Sequence, residues 1–110
     1  MTEPAFFILT ALVGEARHGY GIVGEVASLS QGRVDLKVGT LYGVLDRLVS
    51  DGLVALDREE AHQGRLRRYY RLTTGGREAL VGEASRQAAN ARAATRRLKA
   101  FHPAESGGIA

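Results

Sequence analysis

The stretch from Lys37 to Tyr70 constrains the fold of this chain most, because it predicts one helix followed by a two-stranded hairpin. Four apolar residues in its first part recur at spacings of i, i+4, i+7 and i+8, which is typical of the buried face of a helix. They are Leu41, Leu45, Leu48 and Val49. Gly52 follows this run, and a residue that readily adopts positive φ is a common helix end. We therefore expect a helix between Lys37 and Gly52.

The opposite face of this helix is small and polar. It carries Gly39, Thr40, Gly43, Asp46, Arg47 and Ser50. Residues of this kind can approach a partner closely without being buried in the core. This face is therefore the first candidate for a binding surface.

Two strand-length runs follow the helix, at Leu53–Asp57 and at Leu66–Leu72. The polar link 61–65 between them contains Gly64, which predicts a hairpin turn. The second run carries Arg65, Arg67, Arg68 and Arg71, with Tyr69 and Tyr70 between them. Because neighbouring strand residues point to opposite sides, at least one of the two tyrosines should belong to the core. A polar-faced helix that leads into an arginine-rich hairpin is the layout of a winged helix-turn-helix.

Two further helices are predicted upstream. Pro4 suits the first turn of a helix whose apolar residues continue to Val13, before Gly14 interrupts them. This helix is apolar over more than one face, so part of it needs a second partner. Another apolar pattern spans residues 20–29, and residues 34–36 have room only for a short strand or an extended link. The chain is thus predicted to be mainly α with a small β-hairpin.

A long C-terminal helix is predicted after Thr73, which is a suitable N-cap. Its apolar and small residues form one line over about five turns of 3.6 residues. They are Leu80, Ala84, Ala88, Ala91, Ala94, Leu98 and Phe101. Basic residues flank this line, and the usual cover for such a helix is a second copy of the chain. We expect a winged-helix domain over residues 1–73, a dimerisation helix over 74–101 and a disordered tail over 102–110.

Composition limits the possible functions. The 110 residues suffice for one domain with a modest core. The net charge is only +3, yet residues 58–77 hold six arginines against two acidic residues, which favours phosphate as a partner. The absence of cysteine excludes disulfides, thiolate metal sites and thiol nucleophiles. No apolar run approaches the roughly 20 residues that span a bilayer, and the start lacks the charge of a signal peptide, so we expect a cytoplasmic protein.

Other functions compete with this interpretation. A nucleotide-binding enzyme is one, because Gly19, Gly21 and Gly24 satisfy G-x-G-x-x-G. That fingerprint requires a preceding strand within a βαβ unit, whereas a helical pattern and a polar link precede it here. A metal site at His18 and His62 lacks a supporting spacing and co-ligands. A winged helix used only for contact with other proteins is a further alternative, which salt-dependent, sequence-selective DNA binding would exclude.

Motifs along most of the chain resemble those of the PadR family of transcriptional regulators, in its smaller subgroup with one C-terminal helix. The resemblance rests on several segments in the right order and spacing. They are HGYGI at 18–22, GTLY at 39–42, Leu45, Leu48, DGL at 51–53, RRYYRLT at 67–73 and GR at 76–77. The resemblance implies a homodimeric winged-helix repressor that loses affinity for its operator when a small molecule binds. No cofactor and no metal are expected.

On this interpretation, the recognition helix and the wing contact double-stranded DNA. The expected DNA-binding residues are Lys37, Thr40, Tyr42, Gly43, Arg47, Arg65, Arg67 and Arg68. The major groove admits a helix and displays distinguishable base edges, whereas wing arginines suit the phosphate backbone or the minor groove. Thr40 and Tyr42 have an alternative role in packing, and the wing arginines have one as a solvated strand face. Two copies would read half-sites about one turn, roughly 34 Å, apart, so the expected operator is an inverted repeat.

The remaining expected sites lie on the first and last helices. The dimer interface is expected at Leu80, Ala84, Ala88, Ala91 and Leu98, and an effector pocket at Phe6, Leu9, Thr10, Val13 and Gln87. Gln87 stands where some members of the subgroup have a tryptophan, so a planar aromatic effector is not implied. Lys37 and Val38 replace the Ser-Pro that often begins the recognition helix in this family. We therefore expect the start of that helix to be less well capped, with Lys37 adding a positive charge that attracts phosphate.

Overall fold

The computed structural model describes residues 1–101, which form four helices and three strands. The helices are α1 (Glu3–Ala11), α2 (Gly19–Leu29), α3 (Val38–Ser50) and α4 (Thr74–Ala100), and the strands are β1 (Arg17–His18), β2 (Val54–His62) and β3 (Arg65–Leu72). This order confirms the prediction of a mainly α winged helix-turn-helix with a long C-terminal helix. The tail predicted at 102–110 lies outside the described residues.

The first three helices pack around one hydrophobic core. Its fully covered side chains include Ile8, Leu9, Leu12, Ile22, Val26, Leu41 and Leu45. The stripe predicted for α3 is confirmed at Leu41, Leu45 and Leu48, whereas Val49 is 41% exposed and does not belong to it. Gly52 ends the helix as predicted, with φ +77°. Burying a leucine contributes about 1.5–3 kcal/mol, so this stripe determines which face of α3 remains in solvent.

The three strands form one antiparallel sheet in the order β1-β3-β2. The two-residue strand β1 was not predicted, and residues 34–36, where a short strand was considered, form an extended link. β1 pairs with β3 so that Arg17 lies opposite Tyr70 and His18 opposite Tyr69. Tyr70 is 5% exposed, which confirms that one of the two tyrosines belongs to the core.

The hairpin of β2 and β3, called the wing below, is longer than predicted. β2 continues to His62, and the turn consists of Gln63 and Gly64, both at positive φ, as a two-residue hairpin turn requires. The five-residue link expected at 61–65 is therefore wrong. The charged residues after Asp57 lack the apolar alternation that identifies a strand, yet they pair with β3 as far as His62. The exposed wing thus carries its arginines beyond the core.

The C-terminal helix α4 is 27 residues long, about 40 Å at 1.5 Å per residue. Thr73 caps it as predicted, because its hydroxyl accepts a hydrogen bond from the N–H of Gly76 at 2.9 Å. The helix contacts α1, and Leu80 packs partly against the core. From Ala84 to Phe101 every side chain is exposed, so α4 projects away from the domain.

Candidate nucleic-acid interface

Three of the predicted DNA-binding residues share one exposed edge of α3. Thr40, Gly43 and Arg47 are three and four residues apart, which places them on the same side of the helix. Together with Met1 and Thr2 at the start of α1, they line a groove of about 560 Å³. No carboxylate among residues 1–101 lies within 4.0 Å of the Arg47 guanidinium. Its charge is therefore available to a partner.

Lys37 is the N-cap residue of α3, and its side chain makes no cap hydrogen bond, in agreement with the poorer cap expected there. Its ammonium lies 3.9 Å from the carboxylate of Asp35, and the side chain is 83% exposed. An exposed pair of this kind contributes about 0–1 kcal/mol, so it does not hold Lys37 away from a phosphate. The free N–H groups in the first turn of α3 also attract anions.

Tyr42 lies on the other edge of α3, towards the wing. Its hydroxyl packs over Gly19, the first residue of α2, where a Cβ would stand 2.6 Å from the phenolic oxygen. The residue is 37% exposed. Tyr42 therefore joins α3 to α2 through packing while part of its ring stays accessible.

The arginines predicted on the wing differ in whether they form ion pairs. The guanidinium of Arg68 lies 3.1 Å from the carboxylate of Glu59 on the neighbouring strand. Within the described residues, neither Arg65 nor Arg67 has a carboxylate within 4.0 Å. Arg65 and Arg67 therefore supply the uncompensated positive charge of this strand, and Arg68 shares its charge with an acid.

A cleft of about 800 Å³ separates the wing from the starts of α2 and α3, and is called the wing cleft below. It is lined by four predicted DNA-binding residues, Tyr42, Arg65, Arg67 and Arg68, by His18, Tyr20 and His62, and by one acidic residue, Glu59. The structure thus distributes the predicted residues over two places, the groove beside α1 and the wing cleft, with Lys37 at the start of α3.

His18 is a prominent residue of the wing cleft that sequence reasoning considered only as a metal ligand. It caps α2, because its Nδ1 accepts a hydrogen bond from the N–H of Gly21 at 3.3 Å. Its ring stands edge-on to Tyr69 at 5.3 Å, and its Nε2 lies 3.3 Å from a terminal guanidinium nitrogen of Arg67. Burial, followed by the charges of Arg67 and His62, lowers the pKa of His18 below its ordinary value of 6.5. Its position directly before a glycine-rich helix start was the available signal for a cap.

The predicted dimer residues lie along α4 in two environments. Leu80 packs partly against the core of its own domain. Ala84, Ala88, Ala91 and Leu98 are exposed, and Leu98 has 65% of its surface in solvent. Nothing within residues 1–101 covers this apolar line.

The predicted effector residues also lie in different environments. Leu9 is fully buried in the core of the domain. Phe6 and Thr10 are partly buried on α1, where the Thr10 hydroxyl donates a hydrogen bond to the Phe6 carbonyl oxygen at 2.8 Å. Val13 is 45% exposed just after α1, and Gln87 is exposed on α4.

The glycine fingerprint does not belong to a nucleotide-binding unit. Gly19, Gly21 and Gly24 all lie within α2, which follows a two-residue strand of an antiparallel sheet. The fingerprint requires a parallel βαβ unit, so that interpretation is wrong. In the part of the chain that the structure describes, no group of three or more acidic or histidine side chains could hold a metal ion. No helix in that part is long and apolar enough to cross a membrane.

The wing, the exposed polar face of α3 and the projecting α4 define a winged-helix protein of the helix-turn-helix class. Residues 8–81 match the model of the Transcriptional regulator PadR-like family, which is more than half of the chain. The chain therefore belongs to the PadR-like family of transcriptional regulators.

Several solved structures of proteins named PadR or PadR family regulators have a fold similar to that of this chain. A PadR family transcriptional regulator from Eggerthella lenta is 25% identical, with a TM-score of 0.71 over 86% of this chain and 80% of its own. A PadR family transcription regulator from Clostridium difficile is 27% identical, with a TM-score of 0.62 over 91% of this chain and 98% of its own. Bacillus subtilis PadR in complex with operator DNA is 21% identical, with a TM-score of 0.65 over 73% of this chain and 46% of its own.

One curated relative is also similar in sequence. It is an uncharacterized protein of Lysinibacillus sphaericus, 30% identical over 70 residues, which are 64% of this chain. The matched region spans 64% of the length of that relative.

Proposed function

We propose that this protein is a sequence-specific DNA-binding transcriptional regulator, and that it acts as a homodimeric repressor. The observation that carries the proposal is the exposed edge of α3, where Thr40, Gly43 and Arg47 lie together. The other edge of the same helix faces the arginine-bearing wing. A B-DNA major groove is about 12 Å wide and admits a helix of this kind. Membership of a family of transcriptional regulators supports the proposal, as does the operator complex of Bacillus subtilis PadR.

The residues of the interface have different roles in this proposal. Arg47 reads a base, since an unpaired guanidinium can donate two hydrogen bonds to the major-groove edge of guanine. Gly43 has no side chain, so the backbone of α3 can approach the floor of the groove. Lys37, Arg65 and Arg67 contact phosphates, which fix the position of α3 but carry no sequence information.

The exposed line on α4 is the proposed dimer interface. Ala84, Ala88, Ala91 and Leu98 would be covered by the same residues of a second copy, because closed two-fold pairing is the commonest assembly of soluble proteins. Two copies of α3 held in this way would bind an inverted repeat with half-site centres about one turn of the DNA helix apart. Occupation of such a site excludes RNA polymerase, which is sufficient for repression.

A small-molecule effector would act where α1 meets α4. The proposed contacts are Phe6 and Thr10 on the first helix, Val13 just after it, and Gln87 on the last helix. A ligand bound there would move α4 relative to the domain and so change the distance between the two copies of α3. An effector can shift the DNA-binding equilibrium only by its difference in affinity between the two arrangements.

A gel-shift titration tests the proposal. The purified chain is titrated against the DNA upstream of its own gene at two salt concentrations, with unrelated DNA as competitor. Binding that persists under competition and weakens with salt supports a sequence-specific regulator. Binding that the competitor abolishes would favour a winged helix that contacts other proteins.

A further inference from the structure

The ring of His18 has its two nitrogens in two different environments. A neutral imidazole has one N–H and one acceptor nitrogen. Nδ1 is the acceptor, because it receives the backbone N–H of Gly21 at the start of α2. With Nδ1 as the acceptor, the hydrogen is assigned to Nε2, the nitrogen that faces Arg67 at 3.3 Å. The lowered pKa of His18 favours this neutral state.

Arg67 can only donate hydrogen bonds, so two donors face each other across 3.3 Å. Neither can satisfy the other while His18 caps α2. Among residues 1–101, no carboxylate lies within 4.0 Å of the Arg67 guanidinium to accept from it. Both side chains line the wing cleft, which is open to solvent. This arrangement lacks one acceptor, and an anion would supply it.

The pairing of β1 with β3 places the two donors on the same side of the sheet. β1 pairs with β3 so that His18 lies opposite Tyr69, and Arg67 is two residues before Tyr69, which places it on the same face. The edge-on contact with Tyr69 fixes the plane of the His18 ring. Arg58 covers the ring of Tyr69 at 4.0 Å and holds it in turn. The ring of His18 is therefore held in place before any ligand binds.

We propose that His18 Nε2 and the Arg67 guanidinium together hold one phosphate group in the wing cleft, and that this group is a backbone phosphate of the bound DNA. The inference rests on the proposed function and adds His18 to the DNA contacts. His18 donates a neutral hydrogen bond, and Arg67 donates a charged one. The same nitrogen pair could also attract a free phosphate ion, so the test separates the two sources.

Two variants remove the donors without removing the cap. In His18→Asn, the shorter side chain keeps an acceptor for the first turn of α2, because asparagine is a preferred N-cap, but loses the distal N–H. In Arg67→Gln, the charge is lost from a side chain that carries no ion pair among the described residues. Arg71→Gln is the control on the same strand, since Arg71 does not line the wing cleft and its guanidinium lies 3.7 Å from the carboxylate of Asp57. Thermal unfolding of each variant verifies that the domain is intact.

The affinity of each variant is measured by fluorescence anisotropy on a bound duplex, over a series of salt concentrations. His18→Asn should weaken binding about tenfold, as expected for a hydrogen bond to a charged group, with an unchanged salt slope. Arg67→Gln should weaken it further and reduce the salt slope by about 0.9, the value for one neutralised phosphate.

A second series uses duplexes in which one phosphate at a time is replaced by an uncharged methylphosphonate. When the phosphate at one particular position is replaced, the losses of DNA affinity caused by His18→Asn and by Arg67→Gln should both fall below about twofold, because the common partner of the two side chains is gone. The cost of Arg71→Gln should not change at that position. Full costs of His18→Asn and Arg67→Gln at every position would overturn the proposal.

A titration with inorganic phosphate tests the alternative that the site binds a free phosphate ion. Its binding is followed by the NMR shifts of the His18 ring nitrogens. These shifts should change when the duplex is added. They should stay unchanged when inorganic phosphate is added up to the concentration of the buffer. Saturable shifts with inorganic phosphate, without any coupled methylphosphonate, would reassign the site to a free anion. If the unaltered chain binds no duplex, the proposed function itself fails, and this inference fails with it.

Discussion

Gly76, in the first turn of α4, lies directly against the carbonyl oxygen of Leu53, which follows α3. A Cβ at position 76 would overlap that oxygen, which belongs to the backbone and cannot turn aside as the end of a side chain can. The same carbonyl accepts the backbone N–H of Thr73 at 3.1 Å, and the Thr73 hydroxyl donates to the carbonyl of Gly52 at 2.7 Å. The end of the recognition helix and the start of the projecting helix are therefore held in one close contact.

Gly76→Ala should destabilise the domain. Alanine favours a helix over glycine by about 1 kcal/mol, but the overlap with a backbone oxygen forces the backbone to shift, which costs about 1–3 kcal/mol. The substitution therefore tests the contact between α4 and the segment after α3. Urea unfolding followed by circular dichroism measures the difference. Gly82→Ala in the same helix is the control, because its Cβ would meet only the end of the Arg86 side chain at 3.6 Å. The control should be neutral or slightly stabilised, and equal effects at both positions would contradict the account.

Acid should destabilise the domain through His18. The pKa of His18 is lowered in the folded state by burial and by the charges of Arg67 and His62, so the unfolded chain binds a proton more readily. The free energy of unfolding should be unaffected above the ordinary pKa of 6.5 and should fall as the pH decreases below it. Protonation also removes the acceptor that caps α2. His18→Asn should flatten this part of the pH profile, and an unchanged profile in the variant would assign the effect elsewhere.

Arg47 and Arg65 should differ in their effects on DNA binding. Arg47→Ala should cost about 1–3 kcal/mol on the operator and relax its preference at one base pair, since a base contact is lost. Arg65→Ala should weaken all duplexes alike and reduce the salt slope by about 1. Binding isotherms on operator and unrelated DNA separate the two effects. Arg92→Ala, which changes an exposed residue of α4, is the control. If Arg47→Ala changes DNA affinity and base preference no more than Arg92→Ala does, α3 does not read bases through Arg47.

Leu98→Glu should convert the dimer into monomers. Leu98 is 65% exposed in the single chain, so a charge there leaves the domain intact but would be buried in the proposed interface. Sedimentation velocity measures the mass in solution. Ala93→Glu makes the same change of charge on the opposite face of α4 and should remain dimeric. A dimer that persists in Leu98→Glu removes this line of α4 from the interface.

Local patterns predicted much of the fold. The stripe of α3, its end at Gly52 and the cap at Thr73 each depend on residues close in sequence, and the structure confirms them. β1 depends on an edge of β3 that lies some fifty residues further along the chain, and its two polar residues show no alternation. The far half of the wing was missed for a related reason, because cross-strand ion pairs such as Arg68 with Glu59 replace apolar pairs there.

The candidate site was predicted less completely than the fold. The exposed residues of α3 follow from helical spacing, so Thr40 and Arg47 could be identified from the sequence. The place of His18 depends on Arg67 and Tyr69, which only the antiparallel pairing of β1 with β3 brings near it. Leu9 was placed in a pocket because a helix that is apolar all round does not show which of its faces the core covers.

Selection of bound duplexes from a random library, followed by sequencing, tests the central claim most directly. A homodimer that reads DNA with α3 should enrich an inverted repeat with half-site centres about 10–10.5 base pairs apart. With Arg47→Ala, the enriched motif should lose its preference at one base pair of each half-site, whereas with Arg92→Ala the motif should stay unchanged. A library that emerges without any enriched motif, or with the same motif for Arg47→Ala, would contradict the proposal that this protein reads DNA sequence through its third helix.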